Sequence, residues 1–256
     1  MNLINDLKIV YKKALKETVV RIKKNPIVLI LPLLYSLLLS ISHNILAMFM
    51  GRIMGNVLIG FLIPIVSSMI LSSYFELLSD LNFYNRLGFK NFIGTFKKNS
   101  SSIYSVYFIL ILISWIVPMF GGNFSLVIIL NLILFFVFNS ISEAIYIRGE
   151  YYTSAFSYTF NFFKENIVHW TLPLVIYLGI YTAIFKAVGF ITLISNDIIT
   201  FNTGYPVSLF DLQNIKMMAP IIIIELITAV YVVFRGALYQ ILSTSTMRKR
   251  QYMGEI

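Results

Sequence analysis

Arg21-Ile22-Lys23-Lys24-Asn25-Pro26-Ile27-Val28-Leu29-Ile30-Leu31-Pro32 passes from a basic segment into an apolar run within a few residues. Two other places make the same transition. Thr95-Phe96-Lys97-Lys98-Asn99 and Phe162-Phe163-Lys164-Glu165-Asn166 also stand immediately before long apolar stretches. When Ala14–Asn25, Gly88–Asn99 and Ala155–Asn166 are aligned, Lys23, Lys97 and Lys164 coincide, and so do the three asparagines, at offsets of 74 and 67 residues. Glu76 and Glu143 are also 67 apart, and Pro32 and Pro173 are 141 apart, the two offsets combined. A repeat of fixed period marks one supersecondary unit copied along the chain. The unit here reads as an amphipathic cytoplasmic helix, a span out, a turn and a span back.

Composition points the same way. The chain has 256 residues, 58% of them hydrophobic and only 12% charged. Soluble domains carry about 25% charged residues, so most of this surface is expected to face something other than water. There are no cysteines, which excludes a disulfide framework and a thiolate metal site. Two histidines, His43 and His169, are too few for a histidine-rich centre, and no metal or cofactor is expected.

A spanning helix needs about 20 mostly apolar residues. Six segments qualify, at roughly 26–50, 54–79, 103–120, 124–147, 167–193 and 219–242. The fold class is therefore all-α: a single integral membrane domain over 1–256, a bundle of six transmembrane helices in three repeated units. Residues 1–25 form an amphipathic cytoplasmic helix and 243–256 a cytoplasmic tail. The first apolar run is of spanning length and no small-residue cleavage motif follows it, so it reads as a retained span. Pro32, Pro64, Pro118 and Pro173 fall within spans, where neighbouring helices can satisfy a freed carbonyl.

Basic residues orient the bundle. With the N-terminus inside, the inner segments hold Lys8, Lys12, Lys13, Lys16, Arg21, Lys23, Lys24, Arg86, Lys90, Lys97, Lys98, Arg148, Lys164, Arg248, Lys249 and Arg250. The outer segments hold only Arg52 and Lys216. This places both termini in the cytoplasm and the protein in a cell membrane. It also accounts for the net charge of +9 without nucleic acid as a partner. The long outer loop, 194–218, carries the turn signal Asn202-Thr203-Gly204-Tyr205-Pro206, and Val207–Met218 reads as a short interfacial helix. Tyr104, Tyr146, Tyr151 and Tyr152 near span ends fit an interfacial belt.

In the N-terminal helix Leu3, Leu7, Val10, Tyr11, Ala14, Leu15 and Val19 share one face, with Lys12, Lys13, Lys16, Lys23 and Lys24 opposite. Such a helix lies beside anionic lipid heads or packs under the bundle, and the two are compatible.

The amphipathic lead, the basic residues and Asn25-Pro26 before Ile27–Pro32 resemble a loose group of bacterial six-helix membrane proteins, as does the copy before Ile167–Pro173. That group includes the membrane domain fused to some glycerophosphodiester phosphodiesterases. The resemblance implies an α-helical membrane bundle. The phosphodiesterase domain is absent from this sequence, so its activity does not carry over.

No phosphate-binding loop, HExxH or nucleophile elbow is present. Glu143-Ala144-Ile145-Tyr146-Ile147-Arg148 resembles the Glu-Glu-x-x-x-Arg motif of membrane-embedded prenyl-protein-type proteases, with Ala144 in place of the second glutamate and His169 as the one histidine that follows. A hydrolase using Glu143, Arg148 and His169 is thus the enzymatic alternative. The principal expectation is non-enzymatic: a protein that binds or moves an amphiphilic or lipid-like molecule, or supports a membrane transport, envelope-stress or immunity complex, alone, with a membrane partner or as a homo-oligomer.

The embedded charges are the site candidates: Glu76, Glu143, Lys186, Glu225 and Arg235. A charge at the bilayer centre costs roughly 2.5–3.5 kcal/mol on insertion scales, so these groups are expected to face inward and pair. Depth along the spans pairs Arg235 with Glu76 or Glu143, and Lys186 with Glu225. The topology has a direct check: of two exterior-active reporters, one fused after Gly122 will be active and one at the C-terminus silent. The reverse pattern contradicts it.

Overall fold

A computed structural model of the chain describes residues 3–50, 55–89, 91–116, 124–195, 198–208 and 214–245. Its order is α1 (Leu3–Lys24), a 3-10 turn (Pro26–Leu29), α2 (Leu31–Met50), α3 (Gly55–Tyr84), α4 (Phe92–Lys98), α5 (Ser100–Ile116), α6 (Phe124–Phe138), α7 (Ile141–Arg148), α8 (Tyr152–Ser195), a second 3-10 turn (Thr200–Thr203) and α9 (Ile215–Thr244). The described residues are all-α, without a strand. Five stretches are long and apolar enough to cross a membrane: Leu31–Phe49, Gly60–Tyr84, Ile129–Arg148, Tyr152–Lys186 and Lys216–Thr244. The expected third span reaches only Ile116 within the described residues. Its outer end at 117–120, Arg52, Lys90 and the tail with Arg248, Lys249 and Arg250 lie outside them.

The polarity of these helices is inverted relative to a water-soluble bundle. On α2, Leu34, Leu38, Ile41 and Ile45 are exposed along one stripe, while Tyr35 and Ser36 are buried. On α9, Ile222, Ile223, Leu226 and Val230 face out, while Glu225, Thr228 and Arg235 face in. Serines 67, 68, 72 and 73 of α3 are buried as well. Apolar side chains outside and hydrogen-bonding groups inside is the arrangement an apolar solvent favours, because burial costs polar groups least where partners await them.

Asn25, Asn99 and Asn166 all stand where one helix stops and the next run begins, with φ/ψ of −137°/69°, −107°/3° and −126°/25°. The Asn25 and Asn166 amides each donate to a carbonyl four residues back, of Arg21 and Phe162. The Asn99 N–H instead donates to Ser72 Oγ at 2.8 Å. Short polar side chains that bond to nearby backbone favour such breaks.

Several expected boundaries change. The helix before Asn99 spans only Phe92–Lys98 rather than the twelve residues from Gly88, because Asn91 caps it by accepting from the Gly94 N–H at 3.3 Å. The expected span 124–147 is interrupted at Asn139–Ser140, between α6 and α7. The third unit's lead helix and its span meet at a kink within α8, at Asn166, with a second kink at Lys186.

α1 buries only part of the apolar face read from the sequence. Its buried stripe is Asp6, Val10, Ala14, Thr18 and Arg21, and it packs on α9. Val10 and Ala14 of the apolar face are buried, while Leu3, Leu15 and Val19 are exposed. Steric fit decides this. Ala14, without exposure, and Thr18, whose hydroxyl bonds back to the Ala14 carbonyl at 2.7 Å, let the two backbones approach. The larger apolar chains are left on the neighbouring flank. Ala14→Phe should therefore lower the thermal stability of the purified protein by about 1–3 kcal/mol, the usual cost of overpacking. A change within error in its melting curve would contradict this packing.

Candidate functional site

The largest fully buried side chain among the described residues is Arg235 of α9, 1% exposed. Its Nη2 donates to Glu143 Oε2 at 2.7 Å and to the Asn139 carbonyl at 2.6 Å. The break between α6 and α7 makes that carbonyl available, since a backbone oxygen at a helix end lacks its intrahelical partner. Three rings surround the guanidinium: Trp170 at 5.0 Å, Phe201 at 5.2 Å and Tyr231 at 5.6 Å from its central carbon. In a water-poor interior, cation–π attraction of this kind supplements the ion pair.

Glu143 has a second partner. Asn202 Nδ2 donates to its Oε1 at 3.2 Å. Asn202 belongs to the segment between α8 and α9, and residues 198–208 of it pack into the bundle. Ile199, Phe201, Asn202, Thr203 and Val207 are all buried. Arg235 is twenty residues from Ile215 at the start of α9, or about 30 Å along the helix axis, and the segment reaches that depth. It is held at each step. Tyr74 Oη donates to the Asn202 carbonyl at 2.9 Å. Ser36 Oγ donates to the Tyr205 carbonyl and accepts from the Val207 N–H at 2.9 Å. The Tyr205 N–H donates to Glu225 Oε1 at 2.6 Å. Gly204 turns the chain with φ of +81°, and a Cβ there would sit 2.6 Å from the Glu225 carboxylate, so only glycine fits. The interfacial helix expected over Val207–Met218 is thereby corrected: Val207 and Ser208 are non-helical, Val207 is buried against α2, and α9 starts at Ile215. Residues 209–213 lie outside the described residues.

The other candidates fall as follows. Glu76 is paired with the exposed Lys98 at the surface rather than with Arg235. Lys186 and Glu225, expected to pair, are not brought together: Lys186 is exposed at a bend with φ of 59°, and Glu225 is buried against Tyr205. The three residues of the enzymatic alternative also separate. His169 Nε2 lies 3.1 Å from Asp6 Oδ2, Arg148 donates to the Ser243 carbonyl, and Glu143 serves Arg235 and Asn202. Tyr11 Oη donates to the His169 carbonyl at 3.0 Å, and burial pushes that phenol up to about 12, which keeps it a neutral donor. Asp6 was absent from the sequence candidates. Its four-residue spacing to Val10, Ala14 and Thr18 on a small-residue stripe was the available signal.

Beside the inturned segment lies a cleft of about 570 Å³, formed with α2, α3 and α5 toward the Asn44 and Gly60 ends of α2 and α3. Its lining mixes the polar Ser36, Ser40, His43, Asn44, Ser67, Thr200 and Thr203 with the apolar Leu39, Ile63, Pro64, Leu110 and Ile111. His43 Nε2 and Ser67 Oγ, 2.7 Å apart, join α2 to α3 within this lining. No group of three or more His, Cys, Asp or Glu capable of holding a metal occurs among the described residues.

No protein-family model, curated protein or solved structure matches the chain.

Removing one member of the central pair leaves the other charge buried. Arg235→Met should destabilise the protein by roughly 3–5 kcal/mol, and the double variant Arg235→Met with Glu143→Met should recover part of that loss. Additive losses in detergent melting curves would show that the two groups do not act as a pair.

Proposed function

We propose that this chain is a multi-pass cell-membrane protein that binds or moves an amphiphilic, lipid-like molecule, using the cleft beside the inturned segment. In this reading it has six spans in three related hairpins, with both termini in the cytoplasm. The cleft is the observation that carries the reading. Its lining combines hydroxyl, imidazole and amide groups with aliphatic side chains, which suits a molecule with a polar head and an apolar body. The five long apolar helices with outward aliphatic stripes support the membrane placement. The excess of basic residues in the inner segments supports the orientation. The helix breaks at Asn25, Asn99 and Asn166 support the threefold repeat.

Backbone that leaves regular structure within a bundle is tolerated where it is buried in protein or lines a cavity. The segment Thr200–Ser208 does both, since Thr200, Thr203, Gly204 and Pro206 line the cleft while Asn202 and Val207 are packed inside. A ligand in the cleft would therefore touch the same segment that rests on Glu143, Glu225 and Ser36.

Gly60 gives a clean test. It lines the cleft, and a Cβ built on it meets nothing within 4 Å. Gly60→Leu should fill the space without straining the fold. Binding of a dansyl-labelled fatty acid to the purified protein should weaken roughly tenfold, or about 1.4 kcal/mol, with the melting temperature unchanged. Undiminished binding, or no binding by the unaltered protein, would overturn the assignment of this cleft.

A further inference from the structure

A second concavity lies at the other end of the bundle. It has a volume of about 940 Å³ and is bounded by α1, the end of α3 and α9. Lys12, Lys13 and Lys16 line it from α1, with Arg21, Asn85 and Gln240 at its base. Its chemistry is unusually one-sided. Arg21, 4% exposed, donates to the side-chain oxygens of Asn82, Asn85 and Gln240, to the Asn82 carbonyl and to Glu17 Oε2 at 3.2 Å. Each amide oxygen is thus turned toward Arg21. The NH2 ends of Asn85 and Gln240 are left on the side away from it, while Asn82 Nδ2 is bonded to the Leu78 carbonyl at 2.8 Å. Glu17, the one carboxylate in the lining, is already held by Arg21.

The groove therefore presents donors and few acceptors: three ammonium groups and two amide NH2 groups, organised by a buried guanidinium that takes up the competing oxygens. Ammonium and amide donors lining one groove suit an oxyanion, and charge-assisted bonds of this kind are stronger than neutral ones. Ile9 and Val20 form the apolar margin of the same groove, and Leu15 and Val19 are exposed further round the helix. An anion bound here would have hydrocarbon-compatible surface next to it.

We propose that this groove is a phosphate-binding site, taking the phosphate of an anionic amphiphile or a free phosphate ester. The arrangement explains why so lysine-rich a helix packs beside the bundle through a stripe that includes Arg21. The guanidinium is the organiser, and the lysines are the ligand contacts.

The test uses the full chain in a neutral detergent, with native mass spectrometry counting retained short-chain phosphatidic acid against phosphatidylcholine. The unaltered protein should retain phosphatidic acid in preference. The triple variant Lys12→Gln, Lys13→Gln, Lys16→Gln should lose roughly tenfold or more of that affinity, since each basic side chain adds to attraction for anionic head groups. Lys23→Gln with Lys24→Gln, on the same helix but outside the groove, should keep the preference. Competition separates the two sources. Displacement of the lipid by millimolar glycerol phosphate supports a soluble phosphate ester as the ligand, and retention supports the lipid. An equal loss in the two variants, or no preference for phosphatidic acid in the unaltered protein, would overturn the site. The groove and the distal cleft share no lining residue, so failure here leaves the cleft reading intact.

Discussion

A charge that cannot reach water has to be answered inside the protein, and Arg235 sets that condition for the rest of the bundle. Its guanidinium is enclosed by Glu143, the Asn139 carbonyl and three aromatic rings. Each of those partners fixes an element. Glu143 places α7 against α9. The Asn139 carbonyl is available because the helix stops between Phe138 and Ile141. Phe201 and Asn202 bring in the segment that follows α8. Moving any one of these elements away leaves a buried charge or carbonyl uncompensated, which makes the arrangement an all-or-nothing one.

The inturned segment follows from that condition. A stretch of 3-10 and irregular backbone has unpaired N–H and carbonyl groups, and burial of such groups is costly unless each finds a partner. Here the partners are side chains projected from regular helices: Tyr74 and Ser36 on the carbonyls of Asn202 and Tyr205, Ser36 again on the Val207 N–H, and Glu225 on the Tyr205 N–H. Glu225 is thus answered by a backbone dipole where a cation was the expectation. Thr200, Thr203, Gly204 and Pro206 of the same segment line the cleft, so part of its lining inherits its position from the buried pair.

Much of the helical architecture was legible in the sequence, because long apolar runs and basic flanks are local signals that need no tertiary information. The breaks at Asn25 and Asn166 were legible for the same reason. The pairing of Arg235 with Glu143 could be narrowed by depth along two helices, though Glu76 stood at the equivalent place and only the packing separates them. What escaped was whatever depends on the chain turning back. Residues 198–208 look like an exterior loop by composition, since glycine, proline and asparagine mark turns wherever they lie. Their burial depends on Ser36, Tyr74, Glu143 and Glu225, each distant in sequence. On α1, hydrophobicity alone left open which part of the apolar face packs. Ala14 and Thr18 permit close contact with α9, whereas Leu15 and Val19 are better left toward an apolar surrounding.

The central claim is that residues 198–208 lie inside the bundle, seated on the buried pair. Amide hydrogen exchange of the full chain in lipid nanodiscs, followed by mass spectrometry of the peptide covering these residues, measures it directly. The Tyr205 and Val207 amides are bonded to buried side chains, so the peptide should exchange as slowly as those from the adjoining ends of α3 and α9. Exchange within seconds, at the rate of an exposed loop, would contradict the account.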